Sequence, residues 1–168
     1  MKIVIVGAGE VGRYVAKMLS NENHDITIMD ESEDRLQDLD TNYDIMSRVG
    51  SPTSITDLQM CGVRNCDLFI AVYPSESVNT TACIIASKLG ARKTVARIDN
   101  YEYLLPKNKE MLKNLGIDKL IYPEVLAATE IVQSLKRSWI REYRTFSNEA
   151  LVLVCVKVRE NAEIINKV

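Results

Sequence analysis

Apolar runs of strand length alternate with segments of helical spacing over residues 2–122. The strand-like runs lie at residues 3–6, 26–29, 43–49, 68–72, 94–98 and 120–122. The segments of helical spacing that separate them lie at residues 10–21, 33–41, 52–62, 78–89 and 101–115. Strands that are apolar along most of their length, alternating with helices, predict a parallel sheet that is covered on both faces. Because crossovers between parallel strands are right-handed, the expected fold is α/β, a Rossmann-like doubly wound parallel sheet.

The pattern changes after residue 122. Residues 125–139 have helical spacing, but they carry apolar side chains around more of the helix than one sheet face requires. This helix is therefore either a well-buried terminal helix or a crossover helix that reaches a partner subunit. A strongly apolar strand pattern follows at residues 150–158, with too few residues after it to complete another domain. We expect a Rossmann-type domain over residues 1–122, a crossover helix and linker over 123–146, and the incomplete start of a following domain over 147–168.

The first strand-like run leads directly into Gly7-Ala8-Gly9-Glu10-Val11-Gly12, where helical spacing begins. Strand, G-x-G-x-x-G and helix is the order that a dinucleotide-binding turn requires. In such a turn Gly7 permits the sharp bend, Gly9 leaves room for a pyrophosphate at the backbone, and Gly12 lets the helix pack against the strand. The free N–H groups and the positive dipole end of the helix then face the phosphates. The alternative is that the glycines only form a strand-to-helix turn.

The residue that ends the second strand-like run favours the nucleotide hypothesis. Asp30 lies close to the position, about 20 residues beyond the glycines, at which an acid accepts hydrogen bonds from an adenosine ribose. A carboxylate at this position also repels a 2′-phosphate. NAD-type or adenine ligands are therefore favoured over NADP.

Ligands of doubly wound sheets lie beyond the carboxyl ends of the strands. The informative residues are therefore those that follow each strand, at 7–12, 30–31, 50–53, 73–77 and 97–100. After the third strand, the small Gly50 leaves room for an adenine, to which Ser51 and Thr53 can donate hydrogen bonds. Capping of the following helix by Thr53 or Ser54 explains the same residues equally well.

Two arginines near the predicted strand ends are candidate phosphate ligands. Arg97 ends the fifth strand, where its guanidinium either binds a phosphate through two hydrogen bonds or pairs with Asp99 or Glu102. Arg35 lies about one helical turn beyond the second strand, within reach of a ligand phosphate or ribose. An arginine in such a position is more often simply solvated.

Composition argues against several other functions. The formal charge is −2, from 21 basic and 23 acidic residues, so no general attraction to nucleic acid is expected. No apolar run approaches the ~20 residues of a membrane-spanning helix, and Met1 leads straight into a strand, so we expect neither membrane insertion nor a signal peptide. The four cysteines lack C-x-x-C spacing, which predicts no zinc site and favours a reduced, cytosolic compartment.

The alternative function is that of the cofactor domain of an NAD-dependent oxidoreductase. Such an enzyme needs a substrate domain, and it needs an acid or base next to the nicotinamide. No length remains for a substrate domain after the sheet, and the single histidine, His24, precedes the second strand, away from the carboxyl ends. We therefore expect a surface role for His24, no catalytic residues and no metal ligands.

Segments along most of residues 1–139 resemble a known family. Residues 2–12 (KIVIVGAGEVG), 71–79 (AVYPSESVN), 88–100 (KLGARKTVARIDN) and 116–124 (GIDKLIYPE) are similar to the RCK, or KTN, nucleotide-binding domains, most of all to the N-terminal part of the TrkA family of Trk potassium-uptake regulators. The resemblance implies a cytoplasmic subunit, peripheral at the inner face of the cell membrane, that binds NAD(H), ADP or ATP and gates a Trk- or Ktr-type membrane potassium channel. It also implies a homo-oligomer in which residues 125–139 form the crossover helix.

Candidate ligand residues follow from the strand ends and the resemblance together. In the family Gly7, Gly9, Gly12, Asp30 and Arg97 occupy ligand-contacting positions. Glu10 stands where members that prefer ATP often have a basic residue, which favours a dinucleotide or diphosphate over a triphosphate. The complete set of predicted cofactor-binding residues is Gly7, Ala8, Gly9, Glu10, Val11, Gly12, Asp30, Glu31, Arg35, Gly50, Ser51, Thr53, Val72, Tyr73, Asn79 and Arg97.

Overall fold

The computed structural model describes residues 1–37, 39, 43–136, 140–146 and 151–158. The chain divides into two compact units, Met1–Pro123 and Glu124–Val168. The first unit contains all of the predicted cofactor-binding residues.

The first unit is built on a sheet of six strands in the order β3-β2-β1-β4-β5-β6. Every neighbouring pair is parallel. The strands are β1 (Lys2–Val6), β2 (Asp25–Asp30), β3 (Ile45–Val49), β4 (Leu68–Ala71), β5 (Thr94–Arg97) and β6 (Lys119–Ile121). This order confirms the predicted Rossmann-like doubly wound fold, whose strand order reverses between β1 and β4. All of the carboxyl ends therefore meet at one edge of the sheet.

Helices connect the strands, and the local sequence explains where they begin and end. They are α1 (Glu10–Ser20), α2 (Glu33–Leu36), α3 (Ile55–Met60), α4 (Glu76–Leu89) and α5 (Pro106–Asn114), with 3₁₀ turns at Val63–Asn65 and Tyr101–Leu104. The Ser54 side chain caps α3 by accepting a hydrogen bond from the N–H of Asp57. Helix α4 ends at Gly90, whose φ of +117° is the left-handed conformation that a glycine C-cap supplies.

Alternate residues of β1 face opposite sides of the sheet, as the two-residue period of a strand requires. Ile3 and Ile5 pack into one buried cluster, which includes Ala16 of α1. Val4 and Val6 pack into a second cluster, together with side chains of α3 and α4. Because β1 is buried on both faces, the turn that follows it is held firmly at the carboxyl edge.

Several predicted elements of the first unit differ from the observed ones. The helix predicted at 101–115 is interrupted, because Pro106 has no N–H to donate and begins a new helix after an extended Leu105. The strand predicted from residue 43 begins at Ile45. The helix predicted at 33–41 is interrupted after Leu36, since Gln37 has an extended ψ of 146°, but Leu39 is helical again. Residues 38, 40 and 41 of that prediction lie outside the described residues.

The second unit contains most of a helix and a hairpin. Helix α6 (Pro123–Lys136) is followed by the antiparallel strands β7 (Ile140–Phe146) and β8 (Leu151–Val156). The predicted linker is thus wrong at residues 140–146, where β-favouring Ile, Tyr, Thr and Phe residues pair with β8. Residues 137–139 of the predicted crossover helix lie outside the described residues. No helix within the described residues is long and apolar enough to cross a membrane.

Candidate nucleotide-binding site

Gly7 makes the bend at the end of β1. Its N–H donates to the carbonyl of Met29 on β2 at 2.8 Å, and its φ is +103°, a conformation that L side chains rarely adopt. A Cβ on Gly7 would also lie 2.9 Å from the backbone nitrogen of Tyr73. This glycine is therefore required by the chain itself, both for the turn and for the close approach of β4.

Gly9 and Gly12 have different structural reasons to be glycine. A Cβ on Gly12 would overlap the carbonyl oxygen of Gly7, so Gly12 lets α1 start close against the turn. Gly9 precedes α1 in an extended conformation, with φ −70° and ψ −174°, and an ideal Cβ there meets no heavy atom within 4 Å. Among the described residues nothing occupies that space, which is the space that a bound pyrophosphate needs.

The amino terminus of α1 is open to a ligand. Within the part of the chain that the structure describes, no side chain caps it, and Glu10 and Val11 of its first turn are exposed. The N–H groups of a first helical turn have no partner within the helix, and together with the helix dipole they favour an anion. Glu10 places a carboxylate beside this end, which opposes the binding of highly charged phosphates.

Asp30 ends β2 as predicted, but its carboxylate already has partners in the protein. The side chain is 1% exposed. Its Oδ2 accepts a hydrogen bond from the N–H of Ala8 at 2.8 Å, and its Oδ1 accepts one from the N–H of Ser32 at 2.9 Å. A carboxylate has about four acceptor sites, so a ribose hydroxyl can still bind here, and that role stays a prediction. The established role of Asp30 is to fasten the glycine turn to the end of β2.

Arg35 joins the same network. Its Nη1 lies 3.6 Å from Oδ2 of Asp30, and its side chain is half exposed. Its backbone carbonyl accepts a 2.5 Å hydrogen bond from Nη1 of Arg13, which also donates to the carbonyl of Gln37 at 3.2 Å. Arg13 was not among the predicted residues, although its position on α1, directly after the last glycine, places it next to the segment that follows β2.

Tyr73 reaches across the carboxyl edge from β4 to β2. Its ring carbon Cδ2 lies 3.1 Å from the position of a Gly7 Cβ. Its hydroxyl oxygen accepts a hydrogen bond from the N–H of Glu31 at 3.0 Å. Burial raises the pKa of the Tyr73 phenol above its ordinary value, and the carboxylates of Asp30 and Glu31 raise it further against the opposing effect of the Glu31 hydrogen bond. The phenol is therefore neutral at physiological pH and lies over the glycine turn.

Asn79 of α4 holds the carboxyl ends of β4 and β5. It is 1% exposed, and its Oδ1 accepts a hydrogen bond from the N–H of Tyr73 at 2.8 Å. Its Nδ2 donates to the carbonyls of Tyr73 and Arg97, both at 2.9 Å. Both amide hydrogens are therefore used within the protein. Asn79 positions two other predicted residues, and only its oxygen retains capacity for a ligand.

Val72 is buried beneath the turn. Its Cγ2 lies 3.3 Å from the position of a Gly12 Cβ, so its side chain packs under α1 instead of lining the edge where a ligand is expected.

Glu76 was not among the predicted cofactor-binding residues, but it shapes the same edge of the sheet. Its Oε2 accepts hydrogen bonds from the N–H groups of Asp99 and Asn100, both at 2.8 Å, and fixes the segment after β5.

Arg97 is half-buried at the end of β5, and the alternative ion pair with Asp99 or Glu102 is not formed within the described residues. There, ion pairs join Arg35 to Asp30, Arg92 to Asp67 and His24 to Glu22. The Arg97 guanidinium therefore remains available for an anionic ligand.

The segment after β3 supports both of the predicted roles. Gly50 donates from its N–H to the carbonyl of Asp30 at 3.0 Å, and a Cβ there would lie 2.9 Å from Sδ of Met29, so packing explains this glycine. The hydroxyls of Ser51 and Thr53 lie 3.4 Å apart, and Thr53 is exposed. Because Ser54 caps α3, the hydroxyls of Ser51 and Thr53 are not needed to cap that helix and are available to a ligand.

Other features of the first unit lie away from this edge. Cavities of about 390 and 280 Å³ share Asp25 and Met46 at the amino ends of the strands; His24 lines the larger one and is 22% exposed.

Burial raises the pKa of the Cys61 and Cys66 thiols to about 11 and that of Cys83 to about 12, so these are protonated core residues. No group of His, Cys, Asp and Glu within the described residues has an arrangement that can hold a metal ion.

Comparison with known families gives the relationship directly. The model of the TrkA-N domain matches residues 3–123, which coincide closely with the first compact unit. The chain belongs to the TrkA-N domain family. Its TrkA-N domain holds every predicted ligand residue, and the family resemblance drawn from the sequence is thereby confirmed.

Relatives of the whole chain carry related names. The chain is 38% identical to the Trk system potassium uptake protein TrkA of Haemophilus influenzae over 94% of its own length and 35% of the relative's. It is 31% identical to the TrkA homolog of Archaeoglobus fulgidus, over 97% of the chain and 37% of that protein. The chain therefore spans little more than a third of the length of these relatives.

Solved structures share the fold of the TrkA-N domain at low identity. The TrkA-N domain of the inner membrane protein YbaL from Escherichia coli superimposes with a TM-score of 0.69 at 16% identity, over 80% of this chain and 96% of that one. The GsuK channel bound to NAD gives a TM-score of 0.59 at 22% identity, over 73% of this chain and 21% of that one.

Proposed function

We propose that this TrkA-N domain binds NAD(H), or alternatively ADP or ATP, at the carboxyl edge of its sheet, as the nucleotide-sensing part of a cytoplasmic regulator of potassium uptake. The observation that carries the proposal is the open space at Gly9 in front of the uncapped α1 helix. Gly7 and Gly12 are required by packing, whereas the chain leaves no such reason for Gly9. A pyrophosphate close to the backbone supplies that reason.

The ligand residues have complementary roles in this proposal. The N–H groups at the start of α1 bind the pyrophosphate, and Arg97 neutralises a phosphate. Asp30 and the exposed Glu31 accept hydrogen bonds from a ribose, and Ser51 and Thr53 contact the adenine. The carboxylates at the ribose end disfavour a 2′-phosphate, and Glu10 disfavours a triphosphate.

A regulatory role is supported by the relatives and by the neighbouring folds. The relatives are named as potassium uptake proteins, and the GsuK channel structure contains NAD. The proposed mechanism is a population shift, in which the nucleotide binds one arrangement of subunits more tightly than another and thereby gates a Trk- or Ktr-type potassium channel at the inner face of the membrane. The role is non-catalytic.

Homo-oligomer formation through α6 is part of the proposal. Leu126, Ile131, Val132 and Leu135 of this helix are 59%, 61%, 46% and 74% exposed. So many exposed large apolar side chains on one helix are unusual for a surface that stays in water. A second subunit provides the cover that they lack, and α6 then acts as the crossover helix.

Isothermal titration calorimetry of the 168-residue chain with NAD⁺, NADH, ADP and ATP tests the nucleotide proposal. We expect saturable binding, tightest for a dinucleotide or diphosphate. Absence of binding to all four ligands contradicts the proposal. Mass spectrometry of any small molecule that the purified protein retains identifies the ligand independently.

A further inference from the structure

The phenol of Tyr73 spans the top of β1. Tyr73 follows β4, while the Glu31 N–H that its hydroxyl contacts at 3.0 Å follows β2. In the sheet, β1 lies between these two strands. The side chain must therefore cross over the end of β1, and the position of its Cδ2 near Gly7 shows that it does so directly above the glycine turn.

This is the line that a bound nucleotide has to follow. With its pyrophosphate at the start of α1 and its adenosine ribose at the end of β2, a dinucleotide passes over the same turn. The Tyr73 ring and hydroxyl occupy the ribose end of that route. Two groups cannot fill one space, so the phenol and the ligand compete.

The neighbours of Tyr73 hold it in this place. The backbone on either side of its Cα is fixed by Asn79, which accepts from its N–H and donates to its carbonyl. The hydroxyl is fixed by Glu31. The backbone clamp is buried, whereas the ring is half-buried and its outer contact is a single hydrogen bond. Rotation about the side-chain bonds can therefore release the ring without disturbing the sheet.

We infer that Tyr73 is a strap that closes the ribose end of the nucleotide site in the free protein and has to swing away when a nucleotide binds. The inference rests on the proposed function and adds a regulatory step to it. Because only the open fraction of the protein can bind, the strap lowers the apparent affinity by that fraction. Tyr73 thus sets the nucleotide concentration to which the domain responds.

Substitution Tyr73→Phe tests the strap. Phenylalanine keeps the ring but removes the hydrogen bond to Glu31, so the closed state loses about one net hydrogen bond. We expect the dissociation constant for NAD⁺ or ADP, measured by calorimetry, to fall about 2- to 10-fold. Tyr14→Phe is the matched control, because Tyr14 is 65% exposed on α1, and it should leave the affinity unchanged.

Nuclear Overhauser contacts in the wild-type protein provide a second test that needs no substitution. Contacts between the Tyr73 ring protons and the backbone protons of Gly7 and Glu31 should be present in the free protein and lost at saturating NAD⁺ or ADP. If the contacts persist at saturation, or if Tyr73→Phe binds with equal or weaker affinity, the strap is wrong while nucleotide binding stands. If neither wild type nor Tyr73→Phe binds any nucleotide, the proposed function itself fails.

Discussion

The backbone N–H of Ala8 donates a 2.8 Å hydrogen bond to the buried carboxylate of Asp30, across 22 residues of sequence. This bond joins the glycine turn after β1 to the end of β2. The same carboxylate accepts from the N–H of Ser32, so one side chain orients both the glycine turn and the start of α2. Asp30 therefore contributes to the shape of the site before any ligand is present.

Replacement of Asp30 by alanine should consequently have two effects. Loss of a buried acceptor leaves the Ala8 N–H without a partner, and the free energy of unfolding should fall by about 1–3 kcal/mol. The affinity for NAD⁺ should also fall, because a ribose acceptor is lost. Urea denaturation and calorimetry measure the two effects. Asp34 is exposed, so Asp34→Ala should change neither the stability nor the affinity by much. An Asp30→Ala protein of wild-type stability would contradict the role of Asp30 in fastening the glycine turn to β2.

Substitution of Gly9 and of Gly12 by alanine should have different effects on stability and on nucleotide affinity. Gly9→Ala adds a Cβ in open space, so the free energy of unfolding should change by no more than about 1 kcal/mol, the size of an N-cap effect. The affinity for nucleotide should nevertheless fall at least about tenfold, equivalent to 1.4 kcal/mol, because the Cβ enters the pyrophosphate space.

Gly12→Ala serves as the counterpart, since its Cβ overlaps the Gly7 carbonyl; it should lower the free energy of unfolding by about 3 kcal/mol. Thermal and urea denaturation of both variants, with calorimetry on whichever variant is folded, decide the question. Unchanged nucleotide affinity in Gly9→Ala would contradict the proposal that a pyrophosphate binds in the open space at Gly9.

The buried thiol of Cys83 should make stability depend on alkaline pH. Burial raises its pKa from 9.0 to about 12 in the folded protein. Between these values the folded state retains a proton that the unfolded state has lost, so stability falls as pH rises from about 9 towards 12. The slope for one such group is about 1.4 kcal/mol per pH unit.

Urea midpoints between pH 7.5 and 10.5 measure this slope. Cys83→Ala removes the titrating group, and its decline above pH 9 should be shallower than that of the wild type. The comparison uses slopes rather than absolute stabilities, because the smaller alanine also leaves a cavity. Parallel declines in the two proteins would show that the Cys83 thiol does not contribute.

A charge on the apolar surface of α6 should dissociate the proposed oligomer. Leu135 is 74% exposed, and Leu135→Glu would place a carboxylate where a second subunit is expected. Ser134→Glu adds the same charge at the neighbouring exposed polar position and should leave the assembly intact. Light scattering coupled to size-exclusion chromatography measures the mass. A wild-type protein that is already monomeric rules out the crossover role of α6.

Much of the fold follows from local sequence patterns. The apolar runs and the glycines that end helices predict a doubly wound sheet because strand periodicity, helix caps and right-handed crossovers are local or general rules. The prediction failed where a nearby residue or a distant partner changed the outcome. Pro106 interrupted one predicted helix, and pairing with β8 turned the predicted linker at 140–146 into β7.

The candidate site shows the same division between local and distant causes. The glycine turn and the position of Asp30 were readable from spacing, since the motif reflects backbone geometry within one β–α–β unit. The uses of Asn79 and Glu76 were not, because each binds backbone groups 18 to 24 residues away that only the parallel pairing of β4 and β5 brings close.

By itself the sequence determined the class of fold, the glycine turn after β1 and the family resemblance, because each depends on residue type at short, regular spacing. Only the tertiary structure decided how those parts are used. It showed that Gly9 faces open space while Gly7 and Gly12 do not, and it placed the Tyr73 phenol over the glycine turn. Those facts depend on distances between strands that are neighbours in the sheet and far apart in the chain.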